Sequence, residues 1–188
     1  MEINEMKRLL QSSISESRYL HTLGVIESAK ELAILHGADD QKACIAALLH
    51  DAAKRMDVHE MIEISNEEGF PPDEFEISAP AVLHAPAGAA AAKRLYGISD
   101  PDILHAIRSH TIGCQRPTKL DAIVFVADFI EPGRKPFNGL EEARKLAETN
   151  LLAALKKCAE LSMGYVVSCG GKAHPTTVKM INDTEELI

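Results

Sequence analysis

The chain has 188 residues, of which 46% are apolar and 26% are charged, so it can fold as one globular domain around a full core. Acidic residues outnumber basic residues by 28 to 20, and the net charge of −8 argues against a broad surface for nucleic acid or anionic membrane. A small phosphorylated ligand held by a few focused cations is compatible with this charge.

The cysteine pattern and the N-terminal segment indicate a protein that is not exported. The four cysteines form no C-x-x-C pair, and the first residues contain no apolar signal core. Apolar stretches are short and interrupted, so no segment is expected to cross a membrane. The sequence therefore predicts a cytoplasmic protein with reduced thiols.

Helical signals follow one another along the whole chain. The first half predicts helices over 4–11, from a cap at Ser15 or Ser17 to Gly37, from Asp39 or Asp40 to His50, and over 57–66, followed by a loop at Pro71 and Pro72. The second half predicts a helix from Pro80 to Tyr96 that kinks or restarts near His84, and helices over 101–109, 119–130, 141–149, 151–168 and from Pro175. No strand pair is evident, so the predicted fold class is all-α.

Six residues with metal-ligand chemistry recur on five separate segments: His21, His50, Asp51, His84, His110 and Asp128. Divalent cations accept imidazole nitrogen and carboxylate oxygen together. Asp51 and Asp128 stand among apolar neighbours, and a buried carboxylate needs a cation, a hydrogen-bond network or a surface position. Any one of the histidines could be an ordinary core or surface residue, but the six together favour a metal site.

Two cations stand one helical turn from these residues. Arg18 precedes His21 by three positions and Lys54 follows Asp51 by three, so each would share a helix face with its neighbour. Each side chain could hold a phosphate or form an ion pair with an acidic side chain.

Two further residues are candidates for contacts with a ligand. Arg134 lies just beyond the helix stop at Glu131 and could also reach a phosphate. Thr111 could donate its hydroxyl to the ligand, or it could cap the chain near Gly113.

The ligand order H…HD…H…H…D resembles that of the HD superfamily of metal-dependent phosphohydrolases. The surrounding segments are similar to those of the bacterial YqeK-type group: RYLHTLGV (18–25), HDAAK (50–54), LHAPAGA (83–89), HTIG (110–113) and VADFIEPGR (126–134). The resemblance runs from about Arg18 to the tail at 175–177. The chain departs from the group's pattern at Ala52 and Ala53 and in the segment GRKPFNG (133–139), where the group has Arg-x-Phe-Pro-Gly.

The resemblance implies a single-domain, all-α HD-type bundle with a buried metal site. Its motif-bearing core would span about 18–135, with C-terminal helices at 141–182 packed on it. A first divalent transition metal ion would be held by His21, His50, Asp51 and Asp128. Asp51 would bridge to a second position completed by His84 and His110. The group points to iron, with one or two ions per chain; two metals roughly 3.5–4 Å apart can polarise phosphoryl oxygens and activate water.

The resemblance also implies an activity, the hydrolysis of diadenosine tetraphosphate to two ADP. Catalytic roles would fall to Asp51, Lys54, His84 and His110. Substrate contacts would come from Arg18, Lys54, His84, His110, Thr111 and Arg134. The expected partner is a dinucleoside polyphosphate or nucleotide rather than nucleic acid or membrane, and a homodimer is left open.

Two alternative functions are open. One is another HD phosphohydrolase that acts on a nucleoside monophosphate, a deoxynucleoside triphosphate or a guanosine tetraphosphate alarmone. The other is a non-catalytic nucleotide-binding module, which the presence of all six ligand types disfavours.

Overall fold

The computed structural model describes residues 1–185, and in this range the chain forms eleven α-helices and no β-strand. The helices are α1 (Ile3–Ser13), α2 (Glu16–His36), α3 (Asp40–Leu49), α4 (Val58–Glu68), α5 (Glu74–Ser78), α6 (His84–Tyr96), α7 (Pro101–Ser109), α8 (Lys119–Ile130), α9 (Leu140–Thr149), α10 (Leu151–Ser168) and α11 (Pro175–Glu185). The predicted all-α class is confirmed. None of these helices is both long and apolar enough to span a bilayer.

Capping residues set most helix boundaries where the sequence predicts them. The Ser15 hydroxyl accepts a hydrogen bond from the Arg18 amide at the start of α2, and Asp39 caps α3 in the same way. Gly37 ends α2 with φ of 64°, a left-handed conformation that glycine adopts without steric cost.

The centre of the bundle is formed by α2, α3, α7 and α8. Helix α2 packs against α3 and α8, and α7 packs against α3, α6 and α8. Helix α8 is apolar on nearly all sides because α10 covers the face that the other helices leave open. The C-terminal helices α9 and α11 pack on α10.

The region between α4 and α6 differs from the prediction. The short helix α5 was not predicted; it is formed by a capping box in which Asp73 and Glu76 each accept the other's backbone N–H. Glu76 is fully buried and receives two hydrogen bonds of 2.7 Å from the guanidinium of Arg108 on α7. This bidentate pair fixes α5 to the bundle.

The helix predicted from Pro80 is divided near His84. Pro80–Val82 forms one turn of 3-10 helix, and α6 begins afresh at His84. The restart predicted near His84 is confirmed. Pro86 lies in the first turn of α6, where its missing N–H removes no helical hydrogen bond.

Candidate metal centre

The six sequence-predicted ligands meet at one place because five helices each present an end or a face to it. One ligand lies in α2 and one in α8, one is the first residue of α6, and three directly follow the last residues of α3 and α7. Their ligand atoms form three overlapping groups, with atoms within 4.8 Å of one another in each group: His21–His50–Asp51, His50–His110–Asp128 and Asp51–His84–His110.

Three of the histidines are fixed in the same way. In each, Nδ1 lies 2.7 or 2.8 Å from the carbonyl oxygen three residues earlier, as seen for His50, His84 and His110. Because a carbonyl oxygen can only accept, Nδ1 donates its proton and Nε2 keeps its lone pair. This is the tautomer in which an imidazole binds a metal through Nε2.

The free Nε2 atoms converge on Asp51. Nε2 of His84 lies 3.3 Å from Oδ1 of Asp51, and Nε2 of His50 lies 3.4 Å from Oδ2. The Nε2 atoms of His84 and His110 are 3.1 Å apart, so their lone pairs repel unless a proton or a cation lies nearby. The Nε2 atom of His50 is buried and has no hydrogen-bond partner in the described part of the chain. The residues present therefore fit a divalent cation.

His21 is fixed by Glu131, a residue that the sequence analysis used only as a helix stop. His21 Nδ1 donates to Glu131 Oε1 at 3.2 Å, and its Nε2 lies 3.0 Å from Asp128 Oδ1. Gly24 leaves room for this carboxylate, since a Cβ there would lie 2.8 Å from Glu131 Oε2. The only sequence signal is an acidic residue that directly follows an apolar helix, three positions after Asp128.

Small residues in α6 let this helix approach the turn that carries His50. The alanines and the glycine at 87–92 are buried, and a Cβ on Gly88 would lie 2.9 Å from the His50 carbonyl oxygen. The absence of a side chain at Gly88 thus lets α6, which begins with His84, come close to this turn.

Neighbouring positive groups keep the two carboxylates ionised despite their burial. Burial raises the pKa of Asp51, but the charge and hydrogen bonding of His50, helped by Lys54, hold that pKa well below its usual range. Burial also opposes ionisation of Asp128, yet the hydrogen bond with His21 and the charge of His50 keep its pKa low. Both side chains therefore present charged oxygens at neutral pH.

The buried imidazoles differ in their affinity for protons. Burial and the charge of His50 lower the pKa of His110 to about 4, and burial with the charge of His110 lowers the pKa of His84 well below its usual value. Burial disfavours a charged His50 as well, but the adjacent Asp51 outweighs it and raises the pKa of His50. A proton and a cation would therefore compete for Nε2 of His50.

Three cations surround the cluster, and about a third of each side chain faces solvent. Arg18 Nη1 lies 2.7 Å from Asp51 Oδ2, and Lys54 Nζ lies 3.6 Å from Asp51 Oδ1. Arg134 donates to the carbonyl oxygen of Asp128 and to its Oδ1 at 3.0 Å. The exposed fractions of 36%, 33% and 35% leave each cation accessible to an anion while it touches the cluster.

The turn after α7 carries another buried polar atom without a partner and contacts helix α11. Thr111 Oγ1 is buried without a hydrogen-bond partner in the described residues, so the capping role is not observed. Thr177 of α11 donates to the Ile112 carbonyl oxygen at 2.8 Å, and Met180 packs directly on Gly113.

His174 lies next to α5. Its Nε2 lies 3.1 Å from Asp73 Oδ2. Its ring packs edge-on against Phe75, with ring centroids 4.7 Å apart.

The sequence profile of the HD domain family matches residues 18–133, a range that contains all six clustered residues. The chain belongs to the HD domain family, whose members bind divalent metals.

Individual relatives extend this similarity over nearly the whole chain. The chain is 40% identical to a symmetrical bis(5'-nucleosyl)-tetraphosphatase of Bacillus subtilis, with 97% of both chains covered. It is 37% identical to the protein of the same name from Staphylococcus aureus over 78% of this chain and 75% of the relative. A crystal structure described as a predicted HD superfamily hydrolase involved in NAD metabolism, from Clostridium acetobutylicum, superposes with a TM-score of 0.94 at 36% identity and covers 100% of this chain and 99% of its own.

Proposed function

We propose that this protein hydrolyses diadenosine tetraphosphate symmetrically and releases two molecules of ADP. The observation that supports this best is a buried imidazole and carboxylate cluster, rimmed by partly exposed cations, in a chain 40% identical over 97% of its length to a symmetrical tetraphosphatase. Such a cluster combines a cation site with positive groups that neutralise the charge of a polyphosphate.

The cluster would hold a divalent transition metal ion through His21, His50, Asp51 and Asp128. When bound, the ion would supply Lewis-acid activation of a phosphoryl oxygen and of the attacking water. His84 and His110 share Asp51 with the first position, so they would either complete a second position or contact the substrate. Iron is the metal that the family resemblance favours, with one or two ions per chain.

The surrounding cations would hold the polyphosphate over the cluster. Arg18 and Arg134 lie on the Asp51 and Asp128 sides of the cluster, respectively. Their guanidinium groups can each give two parallel hydrogen bonds to a phosphate. The unpaired Thr111 hydroxyl is a further donor for a phosphate oxygen. Contacts on both sides would centre the phosphate chain, so that an inner phosphorus lies over Asp51.

Lys54 and Asp51 would act on the leaving oxygen and on the attacking water, respectively. The oxygen of water would bond to one inner phosphorus, while the oxygen that bridges the inner phosphorus atoms leaves with the other ADP. Asp51 would accept a hydrogen bond from the attacking water and orient it, and the proton that the water loses would pass to solvent. Lys54 Nζ lies 3.0 Å from His84 Nε2, and burial lowers the pKa of this ammonium, so it can donate a proton toward the leaving oxygen.

The proposed binding partner is a small molecule, and the proposed location is the cytoplasm. A small dinucleoside polyphosphate, rather than nucleic acid, fits the net charge of −8. A homodimer and a cytoplasmic location stay predictions that require measurements of mass in solution and of the protein's distribution in cells.

Product analysis tests the proposed activity. Purified protein loaded with iron or manganese would be incubated with diadenosine tetraphosphate in water enriched with heavy oxygen. The expected nucleotide product is ADP alone, with the label on the terminal phosphate of one ADP from each pair. A mixture of AMP and ATP would contradict symmetrical cleavage. Rapid release of phosphate from mononucleotides without turnover of the dinucleotide would favour a nucleotidase instead.

A further inference from the structure

A further group of metal-ligand side chains lies outside the six-residue cluster. His105 of α7, Cys114 of the following turn and Asp121 of α8 each offer one ligand atom, and these atoms lie within 4.8 Å of one another. Three segments therefore bring an imidazole, a thiol and a carboxylate to one point. This donor set differs from that of the six-residue cluster, which contains no sulfur.

Hydrogen bonds orient the Asp121 carboxylate toward the other two side chains. Its Oδ1 lies 2.7 Å from Nδ1 of His105, and its Oδ2 lies 3.8 Å from Sγ of Cys114. The same Oδ2 accepts the backbone N–H and the hydroxyl of Thr118, each at 2.8 Å. Burial opposes ionisation of Asp121, but its bonds with His105 and Thr118 lower its pKa overall, so a charged oxygen is available at neutral pH.

The group is open to solvent on the side of His105. The side chain of His105 is 52% exposed, whereas that of Asp121 is 3% exposed and Cys114 is partly buried. A cation could enter past the imidazole and keep a water molecule as its fourth ligand. Three protein ligands and one water form a tetrahedral arrangement that Zn²⁺ adopts in proteins.

The sulfur and nitrogen donors determine which cations fit. Thiolate and imidazole suit Zn²⁺ and related transition ions, whereas Mg²⁺ and Ca²⁺ take oxygen ligands. The cation must displace the thiol proton, and burial with the charge of Asp121 raises the pKa of Cys114 to about 12. Binding is therefore expected to be weaker than at the six-residue cluster, so the group would fill when metal is added and empty during gel filtration.

We propose that His105, Cys114 and Asp121 form an accessory site for a divalent cation of the zinc type. This inference does not depend on the proposed hydrolytic activity. The cation would join α7 to α8 across the turn at 110–118. Because this turn begins with His110, a cation in the accessory site would restrain the segment that presents His110 to the six-residue cluster.

Cobalt titration tests the accessory site, because Co²⁺ bound to a thiolate gives a near-ultraviolet charge-transfer band that imidazole and carboxylate ligands do not give. The protein, with its thiols kept reduced by a phosphine, would be titrated with Co²⁺, and Zn²⁺ would follow as the competitor. The wild type should develop the band and lose it to Zn²⁺. Cys114→Ser should lack the band. Cys169→Ser is the matched control and should keep it, since Cys169 is exposed and lies outside the group.

Two further comparisons test the imidazole and the independence of the site. His105→Gln keeps the thiol but should need more Co²⁺ to reach half of the band, with His59→Gln as the control because His59 is 87% exposed on α4. Asp51→Ala should keep the band, since Asp51 belongs to the six-residue cluster alone. In the Asp51→Ala background, Zn²⁺ that joins α7 to α8 should raise the Tm, and Cys114→Ser should remove this rise.

Several results would overturn the inference. Absence of the band in the wild type at saturating Co²⁺ would mean that no thiolate binds the cation. A band that persists in Cys114→Ser, or that disappears in Cys169→Ser, would assign the sulfur ligand to another cysteine. Equal requirements for Co²⁺ in His105→Gln and the wild type would exclude the imidazole. Loss of the band in Asp51→Ala would show that the accessory site is not independent of the six-residue cluster.

Discussion

The Glu131 carboxylate accepts a hydrogen bond from Nδ1 of His21 at 3.2 Å and so turns the opposite nitrogen of the ring toward Asp128. Glu131 is almost fully buried, and its second oxygen accepts the amide hydrogen of Gly133. A carboxylate in this position fixes the orientation and the tautomer of a ligating imidazole. We infer that Glu131 is a positioning residue for His21.

Glu131→Gln should weaken metal binding while the fold is kept. Glutamine preserves the size of the side chain but removes the charge that supports the ring, and loss of such a partner typically costs about 10- to 100-fold in metal affinity. Competition with a chelator would measure this affinity, and thermal unfolding in the same chelator would report on the fold. Glu63→Gln on α4 is the control, because that side chain is 60% exposed. Equal metal affinities in the two variants would contradict the positioning role.

Asp51→Ala should remove most of the bound metal. The carboxylate lies within 4.0 Å of the Nε2 atoms of three histidines, so its loss removes an anionic group that all three face. Purified wild-type protein is expected to carry about one or two transition-metal ions per chain. Elemental analysis after gel filtration would compare the two proteins, and full occupancy in the variant would reject the proposed site.

Arg18→Ala and Lys54→Ala should reduce turnover while metal content stays near normal. Both side chains touch Asp51, but neither offers a ligand atom that a cation accepts. Loss of a charge-assisted contact with phosphate is worth roughly 1.5–3 kcal/mol, or about 10- to 150-fold in kcat/KM. Kinetics with diadenosine tetraphosphate, paired with metal analysis of the same samples, would measure both effects. Unchanged kinetics in both variants would show that these cations serve only the ion pairs seen with Asp51.

The His105–Asp121 pair predicts a stability effect that depends on pH. The hydrogen bond of 2.7 Å to Asp121 raises the pKa of His105; burial raises the pKa of Asp121, but the bonds from His105 and Thr118 lower it overall. The His105 contribution is complete below its unfolded pKa of about 6.5 and is lost as the pH rises through the raised folded value. The Asp121 contribution is present above about pH 4 and is lost as the pH falls through the lowered folded value.

His105→Gln should therefore destabilise the protein near pH 5.5 and have little effect near pH 9. The His105 side chain is 52% exposed, so the change in the free energy of unfolding should be about 1 kcal/mol or less. Urea unfolding at the two pH values would measure it, with His59→Gln as the control because His59 is 87% exposed on α4. An equal loss of stability at both pH values would exclude the charged pair as the cause.

The helices and the six clustered residues could be predicted because their signals are local. Caps such as Ser15 and Asp39 act within one turn, and the doublet of His50 and Asp51 is visible as adjacent letters. The short helix α5 was missed because five residues are too few to show helical periodicity. Its one local signal is the capping box of Asp73 and Glu76.

The contacts that complete the site depend on packing between distant segments. Glu131 reaches His21 across 110 positions of sequence, and this contact requires both the docking of α8 on α2 and the absence of a side chain at Gly24. Likewise, a cleft lined by Phe137 and Tyr165 exists only where the segment following α8 lies against α10. The spacing of residues within one helix cannot predict such contacts between distant segments.

The contacts of α11 show that the metal centre depends on residues beyond the segment that carries its ligands. Residues 18–133 contain every clustered imidazole and carboxylate, yet Thr177 and Met180 of α11 hold the turn that joins His110 to Gly113. A chain shortened before Pro175 would keep all the ligand residues and lose the support of the segment that presents one of them. Helix α11 therefore supports the turn that presents His110, and a deletion that removes this helix is expected to disturb the metal centre.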